Sequence, residues 1–326
     1  MEHHFPAFDE LPVVPGAPQG CLWGFYDRNG KKDELGSLNL LTPCVVKEAA
    51  CEIQTGRRVQ LDWPLDSFKS PGFGRRELQH TILDASKNPD INAFVLDDEI
   101  HINTQGSSQW DSLKHFAHQK SRVFYGGLTY EQAKKTHTNG IHTWCQAGGI
   151  TGRGILVDMV RYYQRRDGKL PDAWSTSPIA VNDIQAALAE QGTECRPGDI
   201  LIMRTGYIKR YNESSEEERR KGMKFGGPAI GIASTEETVR WLYSKHFAAL
   251  AGDTVSFEAW PPPVGTPFVI HEFALVWWGT PLGELWDLET LAELCEEHER
   301  WSFFLTSAPL HLKGGIGSPP GAIAIF

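Results

Sequence analysis

Apolar positions recur along this chain in two rhythms, and the elements they predict alternate. TPCVVKEAACEIQTG (42–56) repeats at helical spacing, with Thr42 as N-cap, Pro43 at the first helical position and Gly56 as the stop. RVQLDW, just after it, alternates as a strand does. GRGILVDM (152–159) is a short apolar run between Gly and charge, a buried strand. VNDIQAALAEQG (181–192) predicts a helix starting at Asn182 or Asp183 and closed by Gly192, and a Pro-Gly-Asp turn leads from it into the buried strand ILIMRT (200–205). STEETVRWLY opens a helix with a capping box in which Glu237 answers Ser234. FAALAGD (247–253) is the next strand, ending at Asp253. TPFVIHEFALVWWG (266–279) predicts a helix with Thr266 as N-cap, Pro267 behind it and Gly279 at its end, placing His271, Leu275 and Trp278 on one face. This succession is that of an α/β layer.

No composition shift marks a linker and no repeat is present, which predicts one domain over 23–326 preceded by a Pro- and Gly-rich arm over 1–22. The charged SSEEERRKGMK (214–224) reads as a solvated helix or loop. At 326 residues the chain is long enough for a sizeable core. Its net charge of −9, with no continuous basic stripe, argues against nucleic acid or an anionic membrane as partner. No run approaches the roughly 20 apolar residues of a membrane span, and MEHHFPAFDE lacks the apolar core of a secretory signal. Cysteines 21, 44, 51, 145, 195 and 295 form no CxxC pair and predict reduced thiols in a cytoplasmic protein.

Candidate chemistry gathers at two places. WDSLKHFAH sets Asp111, His115 and His118 at i, i+4 and i+7, one face if helical, where an Asp–His pair orients a base or holds a metal. The same spacing also suits a plain surface pair. HEFALVWWGTPLGE adds His271 on an apolar face and Glu284 after a turn, which taken singly read as a core histidine and a solvent-facing acid. GGITGRG (148–154) precedes a strand and so presents no helix N-terminus to a phosphate. No GxSxG, HExxH or Walker motif is present, and His137 and His142 fall in the loop-like THTNGIHTW.

Read in order, DELGSLNLLTP, QGSSQWDSLKH, FYGG, GGITGRGILVD, RPGDILIMRTGY, HEFALVWWGTPLGEL and PLHLKGGIGSPPGAIA resemble the cyclase family that includes bacterial kynurenine formamidases and isatin hydrolases. The resemblance covers nearly all of residues 23–326. It implies a swivelling β/β/α fold and a zinc or manganese site with the signature HxGTHxDxxxH. Laid on this chain, the two leading His positions of that signature fall on Gln105 and Gln109, Gly-Thr on Ser107 and Ser108, the Asp on Asp111 and the acid–base His on His115. The family's later His and Glu ligands fall on His271 and Glu284, with one extra residue between them.

Zinc that hydrolyses an amide wants three strong ligands and an open position, and a neutral amide oxygen replaces imidazole poorly. The substitution therefore predicts a metal-independent site without cofactor. In it His115, Asp111, His271 and Glu284 move protons, while Gln105 and Gln109 donate to a carbonyl or enolate oxygen. Such chemistry suits intramolecular ring closure. The clustered aromatics point to an aromatic or polyketide-type secondary metabolite, with Trp110, Phe124, Tyr125, His142 and Trp278 as further binding residues. The alternative is a hydrolase of an aryl-formamide or cyclic amide, with Mn or Zn held by Asp111, His271 and Glu284. The family resemblance adds the expectation of a homodimer.

Overall fold

The computed structural model describes residues 4–69, 71–91, 93–222 and 227–326. Its strands are β1 (Arg58–Gln60), β2 (Gln79–Asp84), β3 (Leu96–His101), β4 (Gln109–Asp111), β5 (Ile150–Asp158), β6 (Pro178–Ile179), β7 (Ile200–Arg204), β8 (Gly231–Ile232), β9 (Ala249–Gly252), β10 (Leu282–Glu284), β11 (Ser302–Ser307), β12 (Gly317–Ser318) and β13 (Ala322–Ile325). Among the described residues nine of them form one mixed sheet in the order β1-β13-β11-β5-β7-β9-β10-β4-β12. β5, β7, β9 and β10 run parallel, and β4 closes antiparallel on β10. The parallel strands are buried along their length, as a sheet covered on both faces requires.

The predicted strands appear close to their expected places, and the helix ends need correction. Thr42 caps as predicted, its hydroxyl accepting from the Val45 amide, but the helix Pro43–Ala49 tightens into a 3₁₀ turn and stops at Glu52, ahead of Gly56. The helix Val181–Glu190 starts one residue before Asn182, and Asp183 instead accepts from the Tyr163 hydroxyl. Thr235, not Ser234, caps the helix Glu236–Lys245. The segment after Thr266 is a π-helix over Glu272–Trp278 with His271 at its start, so its i→i+5 bonding replaces the α spacing expected there. The Thr266 hydroxyl accepts from Phe268 in the turn before it. The charged 214–224 stretch contains the helix Glu216–Gly222, and its last two residues lie outside the described ones.

Two features flank the sheet. Residues 4–22 lie along the body, with the Phe8 ring 5.5 Å from Tyr243 and the Leu22 amide donating to the Trp277 carbonyl at 2.9 Å. Among the described residues β2 and β3 pair only with each other as a two-stranded ribbon, exposed at every position, on which Ile82, Leu96 and Ile100 face water.

Candidate active site

The register of β4 against β10 assembles the centre of the site. Gln109 lies opposite Glu284 and Asp111 opposite Leu282. Strand alternation puts Gln109 and Asp111 on one face and Trp110 on the other. The Gln109 amide donates to Glu284 Oε2. Gln105, from the loop before β4, donates through Nε2 to Asp111 Oδ1 at 2.6 Å. Opposite Asp111 on the far edge lies Gly317 of β12. A Cβ there would sit 2.5 Å from Gln105 Nε2, so a side chain would displace the amide.

His271 reaches this pair from the start of the π-helix. Its Nδ1 lies 2.7 Å from Glu258 Oε2 and its Nε2 3.1 Å from Glu284 Oε1, with Asp111 Oδ2 at 3.8 Å. Burial disfavours charge on this ring, but the Glu258 and Glu284 carboxylates outweigh that and hold its pKa well above the ordinary histidine range. Burial and the nearby Asp111 carboxylate push Glu284 up to about 7, against the pull of His271. His115 stands on the open side, 21% exposed, with Nε2 3.8 Å from Asp111 Oδ2. Burial takes its pKa below the ordinary value despite Asp111, and His271 and Arg75 add to the fall. Asp111 Oδ2, Gln105 Oε1 and Gln109 Oε1 are buried acceptors with no hydrogen-bond partner among the described residues.

The signature metal centre implied by the family resemblance does not fit these residues. Positions 105 and 109 carry neutral amides, and their NH₂ groups donate to the two carboxylates that would otherwise share a cation. What remains is a smaller set: one ligand atom each from Asp111, His271 and Glu284, within 4.8 Å of one another.

The structure thus brings together Gln105, Gln109, Asp111, His115, His271 and Glu284, and it places the other expected binding residues elsewhere. Asp111 and His115 are not on a helix: a strand end and a turn bring them together, with the His115 amide bonded to the Ser112 carbonyl. His118 turns toward Glu272 and Trp277. Trp110 is fully buried, its ring edge-on to Trp286 and its N–H donating to Ser307 Oγ. Trp278 is buried too, its N–H donating to the Gly20 carbonyl. Phe124 stacks on Tyr130, the Tyr125 hydroxyl donates to Asp33, and His142 Nδ1 accepts from the Gly314 amide.

Sequence reasoning missed three participants. Glu258 orients His271; its only signal is an acid inside the apolar run SFEAW. Phe116 packs its ring 5.1 Å from His271 and was legible as the neighbour of His115. Arg75 donates to the Gln105 carbonyl at 2.9 Å from a loop that carries no motif.

Comparison with known proteins agrees with this architecture. The family model described as "Putative cyclase" matches residues 41–259. No curated protein matches the chain. A crystal structure described as a novel cyclase is 31% identical, covers 90% of this chain and 96% of its own, and superposes with a TM-score of 0.78. Isatin hydrolase A from Ralstonia solanacearum is 17% identical over 82% of this chain and 91% of its own, TM-score 0.58. Isatin hydrolase A from Labrenzia aggregata, bound to benzyl benzoate, is 17% identical over 88% and 98%, TM-score 0.59. The two isatin hydrolases share the fold.

Proposed function

Since this chain belongs to the cyclase family, whose fold it shares with enzymes, we propose that it is a metal-independent acid–base cyclase. It closes a ring by adding a hydroxyl within an aromatic or polyketide-type secondary metabolite. His115, on the open side of the cluster and neutral near pH 7, takes the hydroxyl proton at Nε2. The oxygen adds to a conjugated carbon, and Glu284, still partly protonated near neutrality, delivers a proton to the carbonyl oxygen at the other end. Asp111 lies close to both His115 and His271, a path by which the proton on His115 returns to Glu284. The partnerless Gln105 and Gln109 oxygens accept from the substrate, while the His271 imidazolium, fixed by Glu258, offsets the buried carboxylate charge. Acid–base catalysis of this kind supplies roughly 10² to 10⁴ in rate, and an intrinsically feasible cyclisation asks for little more than that and positioning.

The observation that carries this reading is the order of hydrogen bonds in the cluster: both glutamine amides donate to carboxylates, and His271 faces a carboxylate at each ring nitrogen. Metal analysis of protein purified without chelator tests it. Far less than one equivalent is expected, and one tightly held equivalent at the cluster overturns it. A second reading, a metal-dependent amidohydrolase of an aryl-formamide or cyclic amide, is favoured by the spacing of Asp111, His271 and Glu284 and by the carboxylate behind His271 Nδ1. It expects the opposite result.

The reading extends to setting and assembly. Six free cysteines support a reducing cytoplasm, and among the described residues no helix is long and apolar enough to cross a membrane. A homodimer is supported by the β2–β3 ribbon, since two isolated strands are marginal in water and gain from a partner.

A further inference from the structure

Arg75 is the feature that the mechanism leaves unexplained. It sits in a tight turn, its amide bonded to the Gly72 carbonyl, and it is half-buried. One guanidinium nitrogen, Nη1, donates to the Gln105 carbonyl, which ties the turn to the loop that carries the Gln105 amide onto Asp111. The guanidinium lies over the Phe73 ring, 5.1 Å from its centroid, and Phe73 stands edge-on to Trp260, two residues beyond Glu258. Phe73 holds this place at φ 60, a left-handed backbone that a bulky residue adopts at a cost.

Three arginines that pair inside the fold make the contrast. Arg153 bonds Glu52 and Asp199, Arg204 bonds Asp158 and Glu289, and Arg300 bonds Glu52, their side chains between 9% and 20% exposed. Among the described residues no carboxylate lies within ion-pair distance of Arg75, although the site beside it is rich in acids. Five N–H donors radiate from a guanidinium in a planar fork, and among the described residues only Nη1 donates to an acceptor, the Gln105 carbonyl at 2.9 Å. Its charge nevertheless reaches the reaction centre, where it draws both His115 and Glu284 downward. A cation tied to the loop of the cluster, with no carboxylate partner among the described residues and an aromatic ring against it, is suited to receive an anion from outside.

We propose that Arg75 is the specificity-determining residue of this site and that the substrate is an aryl carboxylate, its carboxylate held by the Arg75 fork and its ring beside Phe73 and Phe116. Planar guanidinium and planar carboxylate match in a paired, charge-assisted contact that a lysine ammonium does not reproduce. The anion also meets a requirement of the pocket. Asp111, Glu284 and Glu258 would repel a negatively charged ligand from the open side, and Arg75 turns that repulsion into an orientation, with the carboxylate outward and the reacting groups toward His115. The inference rests on the Asp111–Glu284 cluster being the reaction centre.

The test uses the full chain, with benzoate as probe and benzamide as its neutral counterpart, each titrated by calorimetry. The intact protein should prefer benzoate. Arg75→Gln should weaken benzoate binding about ten- to a hundredfold, the range for losing hydrogen bonds to a charged group, and leave benzamide unchanged. Arg75→Lys should fall between, and Arg76→Gln, next along the chain, should match the intact protein. Equal benzoate affinity in Arg75→Gln, no preference for benzoate in the intact protein, or an equal loss in Arg76→Gln overturns the proposal. If Arg75→Gln does not fold, Arg75→Lys decides: selective loss of benzoate supports the assignment, and undiminished binding refutes it. A metal found at the cluster would defeat the proton-transfer reading and leave these titrations standing. Lost benzoate selectivity therefore reports on Arg75 whichever chemistry the cluster performs.

Discussion

Replacing Glu284 with Gln should change how stability depends on pH more than it changes stability at any one pH. The carboxyl is buried beside Asp111, and in the folded chain its pKa rises from the ordinary 4.5 to about 7. A raised carboxyl pKa favours folding fully below the unfolded value, and that advantage is lost as pH climbs through the folded one. At about 1.4 kcal/mol per pH unit of displacement, the whole loss is about 3 kcal/mol. Between pH 5 and pH 8, where most of the curve lies, it amounts to about 2.5 kcal/mol. Glutamine keeps the volume and a hydrogen-bonding end but does not titrate. Urea unfolding followed by the fluorescence of the eleven tryptophans gives both curves. The wild type should lose about 2.5 kcal/mol relative to the variant between those two pH values, so a variant costly at pH 5 should recover most of its deficit at pH 8. Parallel curves would mean that Glu284 is ionised throughout, and the assignment of a proton donor to it would fall.

Other outcomes follow from the same geometry. Glu258→Gln removes the charge beside His271 Nδ1 and should destabilise the fold by about 3 kcal/mol, the lower end for breaking a buried charge pair. Because His271 has a raised pKa, that cost should be greatest below about pH 6.5 and shrink at alkaline pH, as denaturation at both pH values would reveal. Gly317→Ala drives a methyl to within 2.5 Å of Gln105 Nε2, so thermal unfolding should reveal a loss of about 1.5–3 kcal/mol as the amide leaves Asp111. The double change Gln105→His with Gln109→His should create a site that retains one zinc equivalent through gel filtration, and failure to gain metal would put the alignment of these positions in doubt.

Much of the site was legible because residue type survives without knowledge of geometry. Asp111 and His115 were found by a spacing read as helical, and a turn after β4 happens to bring the same two side chains together. The alternation of QWD could have placed Trp110 on the face opposite Gln109 and Asp111, since a three-residue strand obeys the same period as a long one. Glu258 was out of reach, because nothing local tells an acid in an apolar run whether it will meet water or an imidazole 13 residues later. Arg75 was hidden for a related reason: its importance lies in partners it lacks, and a sequence does not record those. Helix caps were right where a side chain had one possible donor, as at Thr42, and off by a residue where Ser234 and Thr235 competed for the position.

The wide winding between His271 and Gly279 sets a tolerance on chain length. A helix that closes its bonds at i→i+5 holds one residue more than an α-turn over the same rise, so the Glu272–Trp278 segment carries more chain than an α-helix joining the same ends would hold. Inserting one more residue after Val276 would exceed what that winding absorbs and turn the segment's start by up to about 100° against its end. The imidazole would then swing off the line joining Glu258 to Glu284 while every side chain of the cluster stayed in the protein. Here the count of residues, as much as their chemistry, keeps the ring in place.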